Sequence, residues 1–309
     1  MNEFDLIRRF FLRDHADVSI RRGVGDDAAV VAPAPGRDLV MTTDTQVVDR
    51  HFPADLPVSD IGWRSLAVNL SDLAAMGAEP RWCLLTLCLP AGDENWVEAF
   101  CEGFFELADA SGIRLVGGDL VRGELAITVQ AVGDVPAGQS LGRDGARAGD
   151  RLCISGVPGE AAAGLAQWRT GVRNGPLVQR LARPDPALVL GSTLRGTATA
   201  CIDISDGLLA DLGHVLEASG CGAELDSRRL PVSEALRQWR EPDEVLQAQL
   251  AGGDDYLLLF TLPPDVVLPD DCTEIGVIQR DCQLRVLDLQ GRRMQHLPPG
   301  FDHFSGERT

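Results

Sequence analysis

The sequence contains no lysine, so all 28 of its basic residues are arginines. Walker-type phosphate loops and protein kinases both need a lysine that contacts nucleotide phosphates. Schiff-base enzymes need a lysine that bonds to the substrate. The sequence therefore excludes all three classes of site.

Paired cysteines are also missing, because none of the eight cysteines falls in a C-x-x-C motif. Most of them lie inside apolar runs such as "WCLLTLCLP", which is typical of buried thiols. The sequence therefore favours free thiols over a disulfide framework or a zinc site. The cysteines are Cys83, Cys88, Cys101, Cys153, Cys201, Cys221, Cys272 and Cys282.

Long apolar runs are absent, and positive charge is scarce. No stretch of 18 apolar residues occurs, and the segment "MNEFDLIRRFFLRDH" lacks the apolar core and cleavage site of a secretory signal. We therefore expect a cytoplasmic protein without a membrane span. The net charge of −18 argues against a nucleic-acid partner, which needs clustered cations, and suits a protein that binds cations.

Length and patterning predict two domains of α/β or α+β structure with mixed sheets. A chain of 309 residues with 45% hydrophobic content can form two compact units. The glycine- and proline-rich segment 133–150 interrupts the apolar pattern, so we expect domains over 1–137 and 138–309. Apolar periodicity predicts helices over 59–76 and 93–110. Strands are predicted near 28–32, 39–43, 83–89, 114–116, 125–132, 151–155, 199–204, 256–261, 274–278 and 284–289.

Aspartates recur at the ends of predicted strands, next to glycine, serine or threonine. One such motif alone would indicate only a turn or a helix cap, because these residue types favour both for local reasons. Five motifs in one chain favour a shared function. They are "GDD" at 25–27, "TTD" at 42–44, "GGD" at 117–119, "DISDG" at 203–207 and "GGDD" at 252–255.

One further aspartate, Asp72, falls inside a predicted helix beside Leu70 and Leu73. A carboxylate there needs a partner, and Asn69 one turn away cannot neutralise it. Oxygen ligands select hard cations, and Mg²⁺ in particular is held by carboxylates together with substrate phosphates. The sequence thus predicts a nucleotide site with several Mg²⁺ ions, in which glycine-loop amides and Arg143 contact phosphate oxygens.

Six motifs, in this order, resemble the thiamine-monophosphate kinase family: "GDDAAVV", "TTDTQVVDRHF", "LAVNLSDLAAMGAEP", "GGDLVRG", "DISDGLLADLGH" and "GGDDYLLLF". The resemblance runs from about Phe4 to Phe304. It implies the two-domain fold of the aminoimidazole ribonucleotide synthetase superfamily. It also implies ATP-dependent phosphorylation of thiamine phosphate to thiamine diphosphate, the last step of thiamine diphosphate biosynthesis, by a Mg²⁺-dependent homodimer.

The implied homodimer joins the sheets of two N-terminal domains. The N-terminal domain would also carry the metal and ATP site, and the C-terminal domain would cover ATP and bind the substrate.

The resemblance further implies a role for each matching position. ATP would be contacted by Gly118, Asp119, Arg143 and Ser205, and thiamine phosphate by His51, Asp254 and Phe301. At Asp254 and Phe301 the family commonly has Glu and Tyr, but a carboxylate and an aromatic face for the cationic heterocycle are retained. The Mg²⁺ ligands would be Asp27, Thr42, Thr43, Asp44, Asp72, Asp119, Asp203 and Asp206, with Asp72 and Asp119 the most critical.

No residue is expected to act as a general base. The acceptor is a phosphate monoester whose second pKa of about 6 leaves it mostly dianionic at neutral pH. The obstacle is repulsion between this dianion and the ATP polyphosphate, which bridging metal ions would remove. This requirement explains many candidate carboxylate ligands and no candidate base.

Three alternative functions follow from the same residues. Selenophosphate synthetase is disfavoured because its reactive cysteine or selenocysteine lies in an N-terminal segment with a lysine, whereas the first cysteine here is Cys83. Aminoimidazole ribonucleotide synthetase shares the expected fold, but "LAVNLSDLAAMGAEP" followed by "GGDLVRG" favours the thiamine enzyme. The third alternative is a non-catalytic protein that binds divalent cations, but dedicated Ca²⁺ loops concentrate their ligands within about 12 residues, and here they spread from Asp27 to Asp206.

Overall fold

The computed structural model describes residues 3–13 and 17–300. It divides into two compact units, and each is described by itself. The first comprises Met1–Leu73 and Ala78–Ser140, and the second comprises Ala74–Gly77 and Leu141–Thr309. The division after Ser140 lies three residues beyond the boundary expected from the sequence, and the assignment of functional domains to 1–137 and 138–309 stays a prediction.

The first unit is built on a four-stranded mixed sheet. Before this sheet, the chain forms a short helix α1 (Glu3–Leu6), a π-helical turn (Ile7–Phe11) and a two-stranded ribbon of β1 (Ile20–Arg22) and β2 (Val30–Val31). The sheet contains β3 (Arg37–Val47), β4 (Glu79–Leu89), β5 (Arg114–Arg122) and β6 (Ala126–Pro136), in the order β3-β6-β4-β5. Only β4 and β5 run parallel, because the helical crossover α3 (Glu94–Ser111) joins them.

Two long helices, α2 (Val58–Ala75) and α3, confirm the periodicity predicted from the sequence to within one residue. Asp93 begins α3 because its side chain accepts the backbone N–H groups of Asn95 and Trp96. Gly112 ends α3 in a left-handed conformation, with φ of 76°. The apolar positions of both helices are buried, so they supply the core of this unit: Leu66, Leu70 and Leu73 on α2, and Val97, Phe100, Phe104 and Leu107 on α3.

The two faces of the first sheet differ. Successive side chains of a strand point to opposite faces, and on β3 the even-numbered residues are the more buried. Thr42 contacts Asp72 of α2 through a hydrogen bond, so this face lies against the helix. The other face exposes apolar side chains from three strands: Leu39, Met41 and Val47 of β3, Leu84 of β4 and Val121 of β5. We refer to these five residues as the outer apolar face.

The second unit has a six-stranded mixed sheet. Its strands are β7 (Arg151–Ile154), β8 (Ala200–Asp203), β9 (Gly222–Asp226), β10 (Leu258–Leu262), β11 (Thr273–Gln279) and β12 (Leu284–Leu287), in the order β12-β9-β11-β7-β10-β8. Its helices are α4 (Glu160–Arg169), α5 (Pro176–Ala182), α6 (Leu188–Leu194), α7 (Leu208–Ser219), α8 (Glu234–Trp239) and α9 (Pro242–Ala251). Strand β8 forms one edge of the sheet. None of the described helices is long and apolar enough to cross a membrane.

Two expectations about strand ends were wrong. Asp44 and Asp119 were expected to follow strands, but β3 continues to Val47 and β5 to Arg122. Aspartate and glycine are poor strand formers, yet cross-strand pairing overrides this preference. Every residue of β3 pairs with β6, and Asp119 pairs with Thr86 of β4. Strand β9 was not predicted at all.

Candidate active site

Thr42 and Asp72 are joined on the helix-covered face of the first sheet. The Thr42 hydroxyl donates a hydrogen bond to Oδ2 of Asp72, which is partly exposed on α2 between two fully buried leucines. The partner that Asp72 requires therefore includes a hydroxyl, which supplies a hydrogen bond and no charge. Asp44 points to the same face of β3 two residues further on. Thr42, Asp44 and Asp72 thus offer oxygen ligands on one side of the sheet.

The neighbouring carboxylates Asp26 and Asp27 have different surroundings. Asp26 accepts a hydrogen bond from Arg22 at 2.6 Å and another from the backbone N–H of Asp27 at 3.0 Å, so it stabilises the β1–β2 segment. Asp27 lines a cleft on the opposite face of the sheet, together with Thr43 and Gly118. The structure therefore divides the predicted ligands of the first unit between two faces of one sheet.

Gly118 determines how β5 presents Asp119. A Cβ atom at Gly118 would lie 1.8 Å from the carbonyl oxygen of Leu85, and the residue has φ of 153°. Only glycine allows β5 to approach β4 this closely. The register places exposed Asp119 beside Thr86. The carboxylate therefore lies near the "GG" backbone that is predicted to contact ATP.

His51 lies in the turn that follows β3. Its Nδ1 accepts the backbone N–H of Val47 at 3.0 Å. A nitrogen that accepts this bond carries no proton, so the neutral ring carries its proton on Nε2. The turn thus fixes the tautomer that would donate to a phosphate oxygen.

The loop after β8 carries three predicted site residues of the second unit. Asp203 is buried at the end of the strand, whereas Ser205 and Asp206 are partly exposed. The loop is held by Asp211 of α7, whose Oδ2 accepts the backbone N–H groups of residues 205, 206 and 207 at 3.0, 3.1 and 3.1 Å. Burial, and next the charge of Asp206, raise the pKa of Asp211 to about 7. We call residues 203–207 the nucleotide loop.

The "GGDD" segment forms a second loop beside the first. Asp254 and Tyr256 both adopt left-handed backbone conformations, with φ of 69° and 51°, and the Tyr256 hydroxyl donates to Asp254 at 3.1 Å. The side chain of Asp255 instead accepts the backbone N–H groups of Gly159 and Ala161, at 2.6 and 3.1 Å, at the start of α4. We call residues 252–256 the acceptor loop. Asp255 therefore caps α4, whereas Asp254 accepts the hydrogen bond from Tyr256.

The raised pKa of the Asp255 carboxyl group should make the stability of the protein depend on pH. Burial raises the pKa of Asp255 from 3.8 to about 7. The folded state therefore binds this proton more tightly than the unfolded state, and the contribution to stability is lost as the pH rises from about 4 to 7. The free energy of unfolding of the wild type, minus that of Asp255→Asn, should fall over this range in urea titrations. The matched control is Asp288→Asn. Backbone hydrogen bonds lower the pKa of Asp288, so this variant removes a carboxylate whose pKa is shifted in the opposite direction. A difference for Asp255→Asn that does not change with pH would contradict the prediction.

Arg143 lies beside the start of β8, and the end of the described chain reaches the nucleotide loop. Arg143 is exposed, and the preceding carbonyl of Gly142 accepts the N–H of Cys201 in β8 at 2.8 Å. A Cβ atom at Gly300 would lie 2.4 Å from Cβ of Ala210 and 3.1 Å from the carbonyl oxygen of Asp206. The chain therefore reaches the nucleotide loop just before Phe301. Phe301 itself lies outside the described residues.

The donor groups of the first unit fit Mg²⁺ by their chemistry, because they are carboxylate and hydroxyl oxygens. Within the described ranges, one group of three acidic or histidine side chains has its ligand atoms within 4.8 Å of one another, namely Asp206, Asp211 and His214. Of these, only Asp206 was predicted as a ligand. Oδ2 of Asp211 is already engaged by three N–H groups, so this group is not a ready-made site.

Sequence reasoning missed two residues, Asp211 and Asp255, that hold the loops in place. The available signal for Asp211 was a carboxylate one turn into the helix that follows a glycine-containing loop. For Asp255 the signal was the second carboxylate of a pair, whose partner, the start of α4, is about 95 residues distant in the chain. No local pattern identifies such a partner.

Both units of the chain are similar to known proteins. Residues 25–135 match the model of the AIR synthase related protein N-terminal domain, and residues 147–285 match that of the C-terminal domain. Thiamine-monophosphate kinase of Escherichia coli (strain K12) is 41% identical over 321 residues, with 98% of each chain covered. The chain belongs to the thiamine-monophosphate kinase family. Another kinase of this family, from Haemophilus influenzae, is 38% identical with the same coverage.

Solved structures of thiamine-monophosphate kinases have the same fold. The crystal structure from Stenotrophomonas maltophilia K279a has a TM-score of 0.84 and 43% identity, covering 94% of this chain and 96% of that one. The structure of AaThiL complexed with AMPPCP and TMP has a TM-score of 0.80 and 32% identity, covering 88% and 89%. The two-domain α/β fold and the family expected from the motifs are both confirmed.

Proposed function

We propose that this chain is a thiamine-phosphate kinase, which transfers the terminal phosphoryl group of ATP to thiamine monophosphate and produces thiamine diphosphate and ADP. The similarity to thiamine-monophosphate kinases over 98% of both chains carries this conclusion. The related AaThiL binds AMPPCP and TMP together, as a direct transfer between the two substrates requires.

We further propose that the reaction uses several Mg²⁺ ions. Bound Mg²⁺ would neutralise charge on the phosphate oxygens of both substrates, which otherwise repel each other. The proposal is supported by donor chemistry: carboxylates and hydroxyls predominate, and the chain has no lysine that could provide this charge. The proposed ligands are Asp27, Thr42, Thr43, Asp44, Asp72, Asp119, Asp203 and Asp206.

The remaining site residues are proposed to bind and orient the two substrates. Gly118, Asp119, Arg143 and Ser205 would contact ATP, with the exposed Arg143 guanidinium available to its phosphate oxygens. His51 would donate from Nε2 to the phosphate of thiamine monophosphate. Asp254 would face the cationic heterocycle, and Phe301 would stack on it. The acceptor phosphate is already ionised at neutral pH, so no side chain has to remove a proton from it.

A homodimer and a cytoplasmic location complete the proposal. The outer apolar face exposes Met41 by 61% and Val121 by 42%, and several large apolar side chains exposed on one face of a sheet support a protein interface there. A second copy of the sheet would cover it through a two-fold interface. A reducing compartment is supported by the eight cysteines, all of which are free.

The decisive experiment is a product assay. Purified protein incubated with ATP, Mg²⁺ and thiamine monophosphate should form thiamine diphosphate and ADP in equal amounts. Omission of Mg²⁺ should abolish both products. The control is thiamine without its phosphate, which lacks the acceptor group. A folded protein that forms no thiamine diphosphate would refute the proposal, and ligand-independent binding of divalent cations would instead support the cation-binding alternative.

A further inference from the structure

The nucleotide loop and the acceptor loop are joined directly by their backbones. The N–H of Ile204 donates to the carbonyl of Leu257, and the N–H of Tyr256 donates to the carbonyl of Ile204, both at 2.8 Å. The N–H of Asp254 donates to the carbonyl of Ser205 at 2.9 Å. The pairing of β8 with β10 thus continues into both loops. Residues proposed for different substrates therefore share one hydrogen-bonded segment.

The contact between the loops is also sterically close. A Cβ atom at Gly253 would lie 2.4 Å from the carbonyl oxygen of Ser205. A displacement of either backbone by a few tenths of an ångström would therefore be transmitted to the other, since packed backbone atoms cannot interpenetrate.

Asp211 fixes the nucleotide loop from the side of α7. It is 2% exposed, and a single carboxylate oxygen accepts three consecutive backbone N–H groups. This side chain therefore determines the conformation of residues 205–207, which include the proposed ATP contact Ser205 and the proposed Mg²⁺ ligand Asp206.

Asp255 fixes the acceptor loop from the side of α4. Its two carboxylate oxygens accept N–H groups of Gly159 and Ala161. The residues on both sides of it, Asp254 and Tyr256, have left-handed backbones. Such conformations are unfavourable for residues other than glycine and persist only when the surroundings enforce them. The anchoring of Asp255 to α4 is the contact best placed to enforce them.

We propose that Asp211 and Asp255 are positioning residues, which hold the two loops as one body so that the sites for ATP and thiamine monophosphate are set together. Neither residue binds metal or substrate in this proposal. The inference rests on the proposed function, because it assigns ATP and thiamine monophosphate to the two loops.

The test compares Asp211→Asn, Asp211→Ala and Asp255→Ala with the wild type. The amide oxygen of Asn can still accept the three N–H groups, whereas Ala removes the acceptor. We expect Asp211→Ala to lower kcat/KM by about 10²-fold and to raise the KM for both substrates, with most of the loss restored in Asp211→Asn. Asp255→Ala, at the acceptor loop, should raise the KM for ATP as well as that for thiamine monophosphate.

The matched control is Asp288→Ala. Asp288 accepts backbone N–H groups of Gln290 and Arg292, at 2.9 and 2.8 Å, in the turn that follows β12 at the opposite edge of the same sheet. It should change the melting temperature but neither KM, because it holds a loop that carries no proposed site residue.

Two results would overturn the proposal. If Asp211→Asn were as impaired as Asp211→Ala and needed more Mg²⁺, Asp211 would be a ligand. If each variant changed the KM of one substrate only, the loops would act independently. Calorimetric titration of the wild type and the variants measures their affinity for AMPPCP without turnover. It therefore still tests whether the variants weaken nucleotide binding if the proposed kinase activity is not found. If an Ala variant fails to fold, Asp211→Leu and Asp255→Leu supply the same comparison of both substrates, because leucine removes the acceptor and keeps the branched arrangement of side-chain heavy atoms.

Discussion

Replacement of Asp72 with asparagine should reduce kcat by about 10³-fold, as loss of a preorganised electrostatic contact does in other active sites. The proposed role of this carboxylate is to supply negative charge to Mg²⁺, and asparagine is neutral. The hydrogen bond from Thr42 should persist, because the amide oxygen can accept it in place of Oδ2. The melting temperature in the absence of metal should therefore change little. Steady-state kinetics and thermal unfolding of the apoprotein measure the two effects.

Asp109→Asn is the matched control for Asp72→Asn. Asp109 is an exposed carboxylate on α3 that pairs with Arg13 and Arg114. Surface ion pairs contribute about 0–1 kcal/mol, so this variant should keep both its activity and its stability. A large loss of apoprotein stability in Asp72→Asn with activity retained would identify Asp72 as a structural carboxylate. Rescue of the variant by excess Mg²⁺ would support the assignment as a ligand.

Features that depend on local periodicity could be predicted from the sequence. Helices α2 and α3 were predicted because their apolar residues recur at helical spacing and are buried as expected. The lengths of β3 and β5 could not be predicted, because they depend on pairing with strands far away in the chain. Asp44 and Asp119 were consequently placed after strands instead of within them.

The aspartate motifs show the same difference between features that local sequence predicts and features that depend on distant contacts. Their residue types indicated an acidic site, but the carboxylates of the five motifs and of Asp72 are of three kinds. Asp26 pairs with Arg22, Asp255 caps α4, and Asp72 retains a partly exposed carboxylate beside Thr42. These roles depend on which donor approaches each side chain in space. The sequence alone could therefore propose the ligand set, but it could not separate supporting carboxylates from ligands.

The outer apolar face permits a test of the proposed homodimer. Met41 is 61% exposed on a strand whose neighbouring side chains Leu39 and Val47 are also exposed. In Met41→Arg the isolated unit should fold normally, because the new charge remains in water. At a two-fold interface the guanidinium would be buried without a partner and would meet its own copy, which costs several kcal/mol. Light scattering after size exclusion should therefore give the chain mass of 33.2 kDa for Met41→Arg and twice that mass for the wild type.

Val267→Arg distinguishes disruption of this interface from a general effect of added charge. Val267 is 87% exposed in the second unit, between β10 and β11, and the variant should remain dimeric. If Met41→Arg were still dimeric at micromolar concentration, the outer apolar face would not be the interface. If the wild type were a monomer at the same concentration, the homodimer itself would be refuted. Measurement of kinase activity on the monomeric variant would then show whether turnover is lost together with the dimer.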